Sequence, residues 1–122
     1  MKTVLIADDE PSLRLLVNAT IQSDEYDVVE APDGDEAWRL LREHKPCVAL
    51  LDVQMPGMTG LDLAQAIRRD PDLAKTFVVL LTSKAQHADI QAGLAAGADR
   101  YLTKPFSPLE LLSLVEHAVG KP

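Results

Sequence analysis

The residues best suited to chemistry are three carboxylates, each placed after an apolar segment. Asp52 follows the run 48–51, and the pair Asp8 and Asp9 follows the run 3–7. Such runs are typical of strands buried on both faces of a parallel sheet, whose ligands bind at the carboxyl ends of the strands. If these two strands are neighbours, the three acids converge at one edge of the sheet.

Three converging carboxylates repel one another and raise one another's pKa unless a cation lies among them. Their ligand atoms are all oxygens, and no histidine lies nearby in the sequence. Oxygen donors favour a hard cation such as Mg²⁺, which binds through a few carboxylates and keeps several waters. The acids therefore predict a magnesium site made by Asp8, Asp9 and Asp52.

Two further predicted strands end in groups that can bind an anion. The run 77–81 is followed by the hydroxyl of Thr82, and the run 100–103 by the ammonium group of Lys104. With these donors, the sequence resembles the receiver domain of bacterial two-component response regulators over essentially its whole length. The residues that carry the resemblance are Asp8-Asp9, Asp52, Met55-Pro56-Gly57, Thr82 and Lys104-Pro105-Phe106.

The resemblance implies that Asp52 accepts a phosphoryl group from a phosphohistidine of a sensor histidine kinase or of a phosphotransfer protein. Lys104 and Thr82 would bind the phosphoryl oxygens, since such transfers depend on positioning and on neutralising charge. The implied magnesium ligands are Asp9 directly, Asp8 through water, Asp52, and the main-chain carbonyl of Gln54.

The resemblance also implies a cis peptide bond between Lys104 and Pro105, and an aromatic switch at Tyr101. Residues Gln54 and Lys84 flank the path of the attacking water in the family. The lifetime of the phosphoryl group is therefore expected to depend on these two side chains.

Strand-like and helix-like patterns alternate along the chain, which predicts a parallel α/β sheet. The expected strands β1 to β5 lie near 3–7, 27–31, 48–52, 76–81 and 99–103. The expected helices α1 to α5 lie near 11–23, 33–44, 59–69, 86–96 and from 107 onward. Strands β2 and β5 carry charges typical of sheet edges, which favours the order 2-1-3-4-5 with right-handed crossovers. The predicted fold is a single doubly wound (βα)5 flavodoxin-like sandwich.

The last helix, α5, is expected to open with a capping box at Ser107 and Glu110. Its apolar positions 109, 112, 115 and 119 would face the sheet and leave Leu111 and Leu114 on an adjoining stripe. With α4 and β5, that stripe would form an α4-β5-α5 output surface for a target protein, an output domain or a homodimer. The alternative is that both leucines simply widen the core contact.

Composition limits the remaining possibilities. With 122 residues and 47% hydrophobic content, the chain fits one domain, 1–122, and nothing after α5 indicates an output domain. The net charge of −7 argues against direct binding of nucleic acid. The single cysteine, Cys47, favours a reducing compartment, and no run resembles a signal peptide or a membrane span, so we expect a cytoplasmic protein. A stand-alone protein and a piece of a longer regulator both remain open.

Three classes of function are compatible with the predicted fold. The first is a phosphorylation-controlled signalling module, which is not an enzyme beyond its own phosphorylation and dephosphorylation. The second is a magnesium-dependent phosphohydrolase, but such enzymes usually carry a second acid where this chain has Gln54. The third is a flavodoxin-like FMN binder, but acids stand where its phosphate loop would follow β1. The signalling module is the favoured interpretation.

Overall fold

The chain forms one five-stranded parallel sheet with helices on both faces. The computed structural model describes residues 2–83 and 89–120. The strands lie in the order β2-β1-β3-β4-β5, which confirms the predicted flavodoxin-like topology. The strands are β1 Lys2–Ala7, β2 Tyr26–Ala31, β3 Val48–Asp52, β4 Phe77–Thr82 and β5 Arg100–Thr103. The helices are α1 Pro11–Ile21, α2 Gly34–His44, α3 Gly60–Arg69, α4 Asp89–Ala96 and α5 Pro108–Ala118.

Helix α1 ends at Ile21 rather than near residue 23, because Gln22 leaves the helix. The side-chain carbonyl oxygen of Gln22 accepts a hydrogen bond from the N–H of Val28 at 2.9 Å. This bond satisfies a backbone donor of the edge strand β2, which the sheet itself leaves open on that side. The predicted start of α4, at residue 86, lies outside the described residues, as does Lys84.

Two apolar cores lie on the two faces of the sheet, because successive side chains of a strand point to opposite faces. Leu5 and Leu51 belong to the core that also contains side chains of α2 and α3. Ile6 and Leu50 belong to the core that also contains side chains of α1 and α5. Every residue of β3 is buried, so a charged side chain at its carboxyl end is largely withdrawn from water.

Side-chain caps define the starts of three helices. Asp33 accepts a hydrogen bond from the N–H three residues on at 2.8 Å and caps α2, as predicted. Ser107 accepts one from the N–H of Glu110 at 3.1 Å, and its hydroxyl donates to the Glu110 carboxylate at 3.3 Å. A complete reciprocal capping box forms at Thr59 and Asp62, a pair that sequence patterns did not single out.

The orientation predicted for α5 is correct at Val115, which is fully buried, but wrong at Leu109. Leu111 is fully buried and Leu114 is 8% exposed, whereas Leu109, which was expected to face the sheet, is 76% exposed. The helix is apolar around more than half of its circumference, so periodicity alone does not define which face is buried. The two leucines extend the core, and no output surface is assigned to them.

Two findings bear on the compartment. Cys47 is a free, half-buried thiol whose sulfur donates a hydrogen bond to the carbonyl of Thr3 at 3.3 Å. Among the described residues, no helix combines the length and the apolar character needed to cross a membrane. The cytoplasmic location stays a prediction.

Candidate functional site

The three predicted metal-binding acids lie at the carboxyl ends of neighbouring strands. Asp52 is the last residue of β3, and Asp8 and Asp9 directly follow β1. Because β1 and β3 pair in parallel with Ala7 opposite Leu51, their carboxyl ends are level. One carboxylate oxygen from each acid lies within 4.8 Å of the others. Asp8 and Asp52 are buried, at 0% and 5% exposure, whereas Asp9 is exposed.

Lys104 lies against two of these acids. Its Nζ is 2.8 Å from Oδ2 of Asp8 and 3.4 Å from Oδ2 of Asp52. The peptide bond between Lys104 and Pro105 is cis, as predicted. Burial by itself lowers the pKa of Lys104, but the hydrogen bond to Asp8 and the charges of both acids together raise it. The ammonium group therefore stays protonated beside Asp52.

The carboxyl group of Asp52 is held in an unfavourable environment for its negative charge. Burial and the nearby charge of Asp8 raise its pKa to about 6, from an ordinary value of 3.8. Lys104 and the N–H of Gln54, which donates to Oδ1 at 3.3 Å, lower that pKa but do not cancel the effect. A further positive charge close to Asp52 would therefore stabilise its ionised form.

Thr82, the last residue of β4, carries a buried hydroxyl. The residue is 0% exposed, and its Oγ1 has no hydrogen-bond partner among the residues that the structure describes. Burying a hydroxyl without a partner is unfavourable, so such a group often marks a place where a ligand binds. In the register between β3 and β4, Asp52 lies opposite Leu81, which places Thr82 one residue beyond the acid.

The loop after β3 carries Gln54, whose N–H reaches Asp52 while its side chain is exposed. The loop rests on the start of α2, where the N–H of Gly34 donates to the carbonyl of Pro56 at 2.9 Å. A Cβ at Gly34 would lie only 1.7 Å from the carbonyl oxygen of Met58. Only glycine allows this close approach between the start of α2 and the loop that follows β3.

Tyr101, the predicted switch residue, lies on the edge strand β5 and is 44% exposed. Its ring is therefore outside the core in this structure. The second residue predicted to gate water, Lys84, lies outside the described residues, so the structure gives no test of its position.

One neighbour of the site was missed in the sequence. Arg14 of α1 donates from Nη1 to the main-chain carbonyl of Asp8 at 2.7 Å. Its Nε is 3.3 Å from Glu30 of β2. The signal that could have identified it is weak, because an arginine early in an amphipathic helix usually lies in solvent.

The residues of the site fit a magnesium ion. The acid cluster offers only oxygen atoms, Asp9 is open to solvent, and the raised pKa of Asp52 reflects a need for positive charge. An exposed acid can bind directly while the ion keeps several of its waters, which is the usual mode for Mg²⁺.

Comparison with known proteins adds independent support. A family model for the response regulator receiver domain matches residues 4–116. The chain is 43% identical over 108 residues to the probable transcriptional regulator ycf27 of Guillardia theta, covering 88% of this chain and 41% of that protein. It is 37% identical over 115 residues to the response regulator GtcR of Aneurinibacillus migulanus, covering 94% of this chain and 46% of that protein. The chain thus spans less than half the length of these relatives.

Solved structures give the same result. The chemotaxis response regulator CheY4 of Vibrio cholerae superposes with a TM-score of 0.89 at 36% identity, covering 97% of this chain and 98% of that one. The receiver domain of the sensor histidine kinase PA1611 of Pseudomonas aeruginosa, which has a magnesium ion in its active-site cleft, has a TM-score of 0.88 at 27% identity and covers 98% of both chains. The chain belongs to the family of response regulator receiver domains, which are signalling domains.

Proposed function

We propose that this domain accepts a phosphoryl group on Asp52 from a phosphohistidine of a sensor histidine kinase or a phosphotransfer protein. The observation that carries the proposal is the combination, at one edge of the sheet, of a carboxylate, a cation and a buried hydroxyl that has no partner among the described residues. Asp52, Lys104 and Thr82 supply these groups. We further propose that residues 1–122 form a single receiver domain and that it works in the cytoplasm.

In the transfer, a carboxylate oxygen of Asp52 forms a bond to phosphorus while the bond between phosphorus and the histidine nitrogen breaks. The nitrogen keeps that electron pair. Asp52 has to be ionised to attack, and the positive charge of Lys104 favours that ionised form. Lys104 is near enough to stabilise a phosphoryl oxygen, and the Thr82 hydroxyl would donate to another.

Magnesium is the proposed cofactor, and when bound it supplies positive charge for the phosphoryl oxygens. The residues that would hold it are Asp9, Asp8, Asp52 and the main-chain carbonyl of Gln54. A magnesium ion in the active-site cleft of the PA1611 receiver domain supports this assignment.

The proposed consequence of phosphorylation is a change at the α4-β5-α5 surface. A hydrogen bond from Thr82 to the phosphoryl group would draw in the chain after β4, and Tyr101 would rotate toward the space that is freed. The partner would be a target protein, an output domain or a second copy of the chain. The chain also matches about half of the DNA-binding response regulator MtrA of Mycolicibacterium smegmatis, which favours an output domain.

The alternative of a magnesium-dependent phosphohydrolase is less well supported. Gln54 cannot act as the second acid of such an enzyme. Slow loss of the phosphoryl group by the domain's own chemistry is part of the proposal, with Gln54 and Lys84 flanking the path of the attacking water.

The test is labelling with radioactive acetyl phosphate. Wild type and Asp24→Asn, which changes an exposed acid, should take up label in the presence of Mg²⁺ but not when the metal is chelated beforehand. Asp52→Asn should take up none. Labelling of Asp52→Asn at the wild-type level, or full labelling of wild type without divalent metal, would contradict the proposal.

Magnesium binding can be measured separately by calorimetry. Asp9→Ala should weaken binding more than Asp24→Asn does, because Asp9 is the exposed acid that can contact the ion directly. An unchanged affinity in Asp9→Ala would mean that the ion binds elsewhere.

A further inference from the structure

A chain of three polar side chains lies beside the acid pair, outside the groups used above. Arg14 of α1 is 17% exposed and donates to the main-chain carbonyl of Asp8 at 2.7 Å. Its Nε lies 3.3 Å from Oε1 of Glu30 on β2. The other carboxylate oxygen of Glu30 accepts a hydrogen bond from Asn18 at 3.0 Å, one turn further along α1. These contacts join β2 and α1 to the turn that follows β1.

The bond to Asp8 acts on the peptide that leads into Asp9. The carbonyl of Asp8 and the N–H of Asp9 belong to one planar unit, so fixing the carbonyl fixes the orientation of that unit. The other side of Asp8 is already fixed, because its N–H donates to the carbonyl of Ala31 at 3.1 Å. Its Oδ1 also accepts from the N–H of Glu10 at 2.8 Å. The hydrogen bond from Arg14 therefore adds a further restraint on the orientation of the backbone from which the Asp9 side chain extends.

Through its positive charge alone, Arg14 would weaken the binding of a metal ion at this site. A guanidinium group that contacts the main chain of Asp8 repels a divalent cation bound nearby, so its removal should strengthen cation binding. Glu30 offsets part of that repulsion by pairing with Arg14, which keeps the acid edge attractive to cations. If Arg14 acts by positioning, its replacement should weaken Mg²⁺ binding; if it acts by charge, its replacement should strengthen it. The sign of the change therefore separates the two roles.

We infer that Arg14, held by Glu30, is a positioning residue that orients the Asp8–Asp9 peptide for binding of Mg²⁺. The inference rests on the proposed function, since it assigns a role to Arg14 at the same metal site. Outer residues that orient metal ligands typically change affinity by about 10–100-fold when they are replaced. Arg14 acts through the main chain only, so the lower end of that range, about tenfold, is expected.

The test compares Mg²⁺ dissociation constants, measured by calorimetry, for wild type, Arg14→Met and Arg39→Met. Arg39→Met is the matched control, because Arg39 is exposed on α2 and its ion pairs among the described residues are with Glu36 and Glu43 of its own helix. Arg14→Met should bind Mg²⁺ about tenfold more weakly than wild type, and the control should bind like wild type. An unchanged or tighter dissociation constant for Arg14→Met would overturn the inference.

Urea unfolding of each variant shows whether it is folded under the conditions of the titration. If Arg14→Met does not fold, Arg14→Lys carries the test. Lysine keeps the charge but lacks the planar fork that bonds the Asp8 carbonyl and Glu30 together, so its Mg²⁺ affinity must also fall. Equal affinity in wild type and Arg14→Lys would overturn the inference. Absence of Mg²⁺ binding by the wild type would overturn the proposed function itself, whereas binding with an unaffected Arg14 variant would overturn only this inference.

Discussion

The two ends of the sheet differ in how completely their charged residues are paired with other groups of the chain. At the end where β4 and β5 begin, Arg68 of α3 pairs with Asp99 and donates to three main-chain carbonyls. Those carbonyls belong to Gly97, Ala74 and Thr76, at 2.7, 3.0 and 2.8 Å. Asp99 in turn accepts the N–H of Val78 at 2.8 Å. Arg68 and Asp99 are thus both matched by partners that the chain itself supplies.

At the opposite end of the sheet, where Asp52 lies, the polar and charged groups are less completely paired among the described residues. Lys104 is shared between Asp8 and Asp52, the pKa of Asp52 is raised to about 6, and the buried hydroxyl of Thr82 lacks a partner among the described residues. A folded protein keeps such groups only where something else compensates. The comparison indicates that the Arg68 end stabilises the fold, whereas the Asp52 end is arranged to bind a ligand.

The largest expected effect is a loss of stability on replacing Arg68. Arg68→Met should lower the free energy of unfolding by about 3 kcal/mol, because it removes several hydrogen bonds to a charged group and leaves Asp99 without its cation. Urea unfolding checks this value, with Arg39→Met as the control for loss of an exposed arginine. Magnesium affinity should be unaffected in both variants. A large change in affinity in Arg68→Met would show that the two ends are not independent.

A smaller change of opposite sign is expected from Asp52→Asn without Mg²⁺. Raising the carboxyl pKa from 3.8 to about 6 in the folded state costs about 1.4 kcal/mol per unit, or roughly 3 kcal/mol at pH 7. Asparagine removes this net cost, which already includes the attraction of Lys104, but it still buries a polar amide, so the variant should be more stable than wild type by about 2 kcal/mol at pH 7.

The pH dependence of that difference follows from the sign of the pKa shift. Between about pH 4 and pH 6 the folded protein holds a proton on Asp52 that the unfolded chain releases, so this group's contribution to stability falls as the pH rises. The advantage of Asp52→Asn over wild type should therefore grow from pH 4 to pH 6 and then level off. Unfolding curves across that range check it, and Asp24→Asn should show no such growth. A constant difference would mean that Asp52 titrates normally.

Most of the ligand-binding end could be predicted from the sequence, because its residues stand at the ends of apolar runs. A parallel sheet brings those ends together whatever the detailed packing. Asp8, Asp52, Thr82 and Lys104 were found in this way, and the strand order followed from which runs carry charge.

Other contacts could not be predicted, since they depend on packing between segments that are distant in the chain. Arg68 lies 29 residues before Gly97, and in the sequence it reads only as a basic residue near the end of a helix. The same holds for Arg14 and for the face of α5. There, Leu109 and Leu111 are equally apolar, and only the packed structure decides that Leu111 is buried.

The smallest expected effects come from two buried threonines that form a matched pair. The hydroxyl of Thr76 donates to the carbonyl of Pro46 at 3.0 Å, whereas that of Thr82 has no partner among the described residues. Thr76→Val should lower the free energy of unfolding by about 1 kcal/mol, because it breaks a buried hydrogen bond. Thr82→Val should raise it by about 1 kcal/mol, because a methyl group replaces a hydroxyl that was buried without a partner. Equal losses in both variants, measured by urea unfolding without Mg²⁺, would show that Thr82 is as fully bonded as Thr76. Opposite signs would show that the unphosphorylated domain gives up stability to keep a donor ready for its ligand.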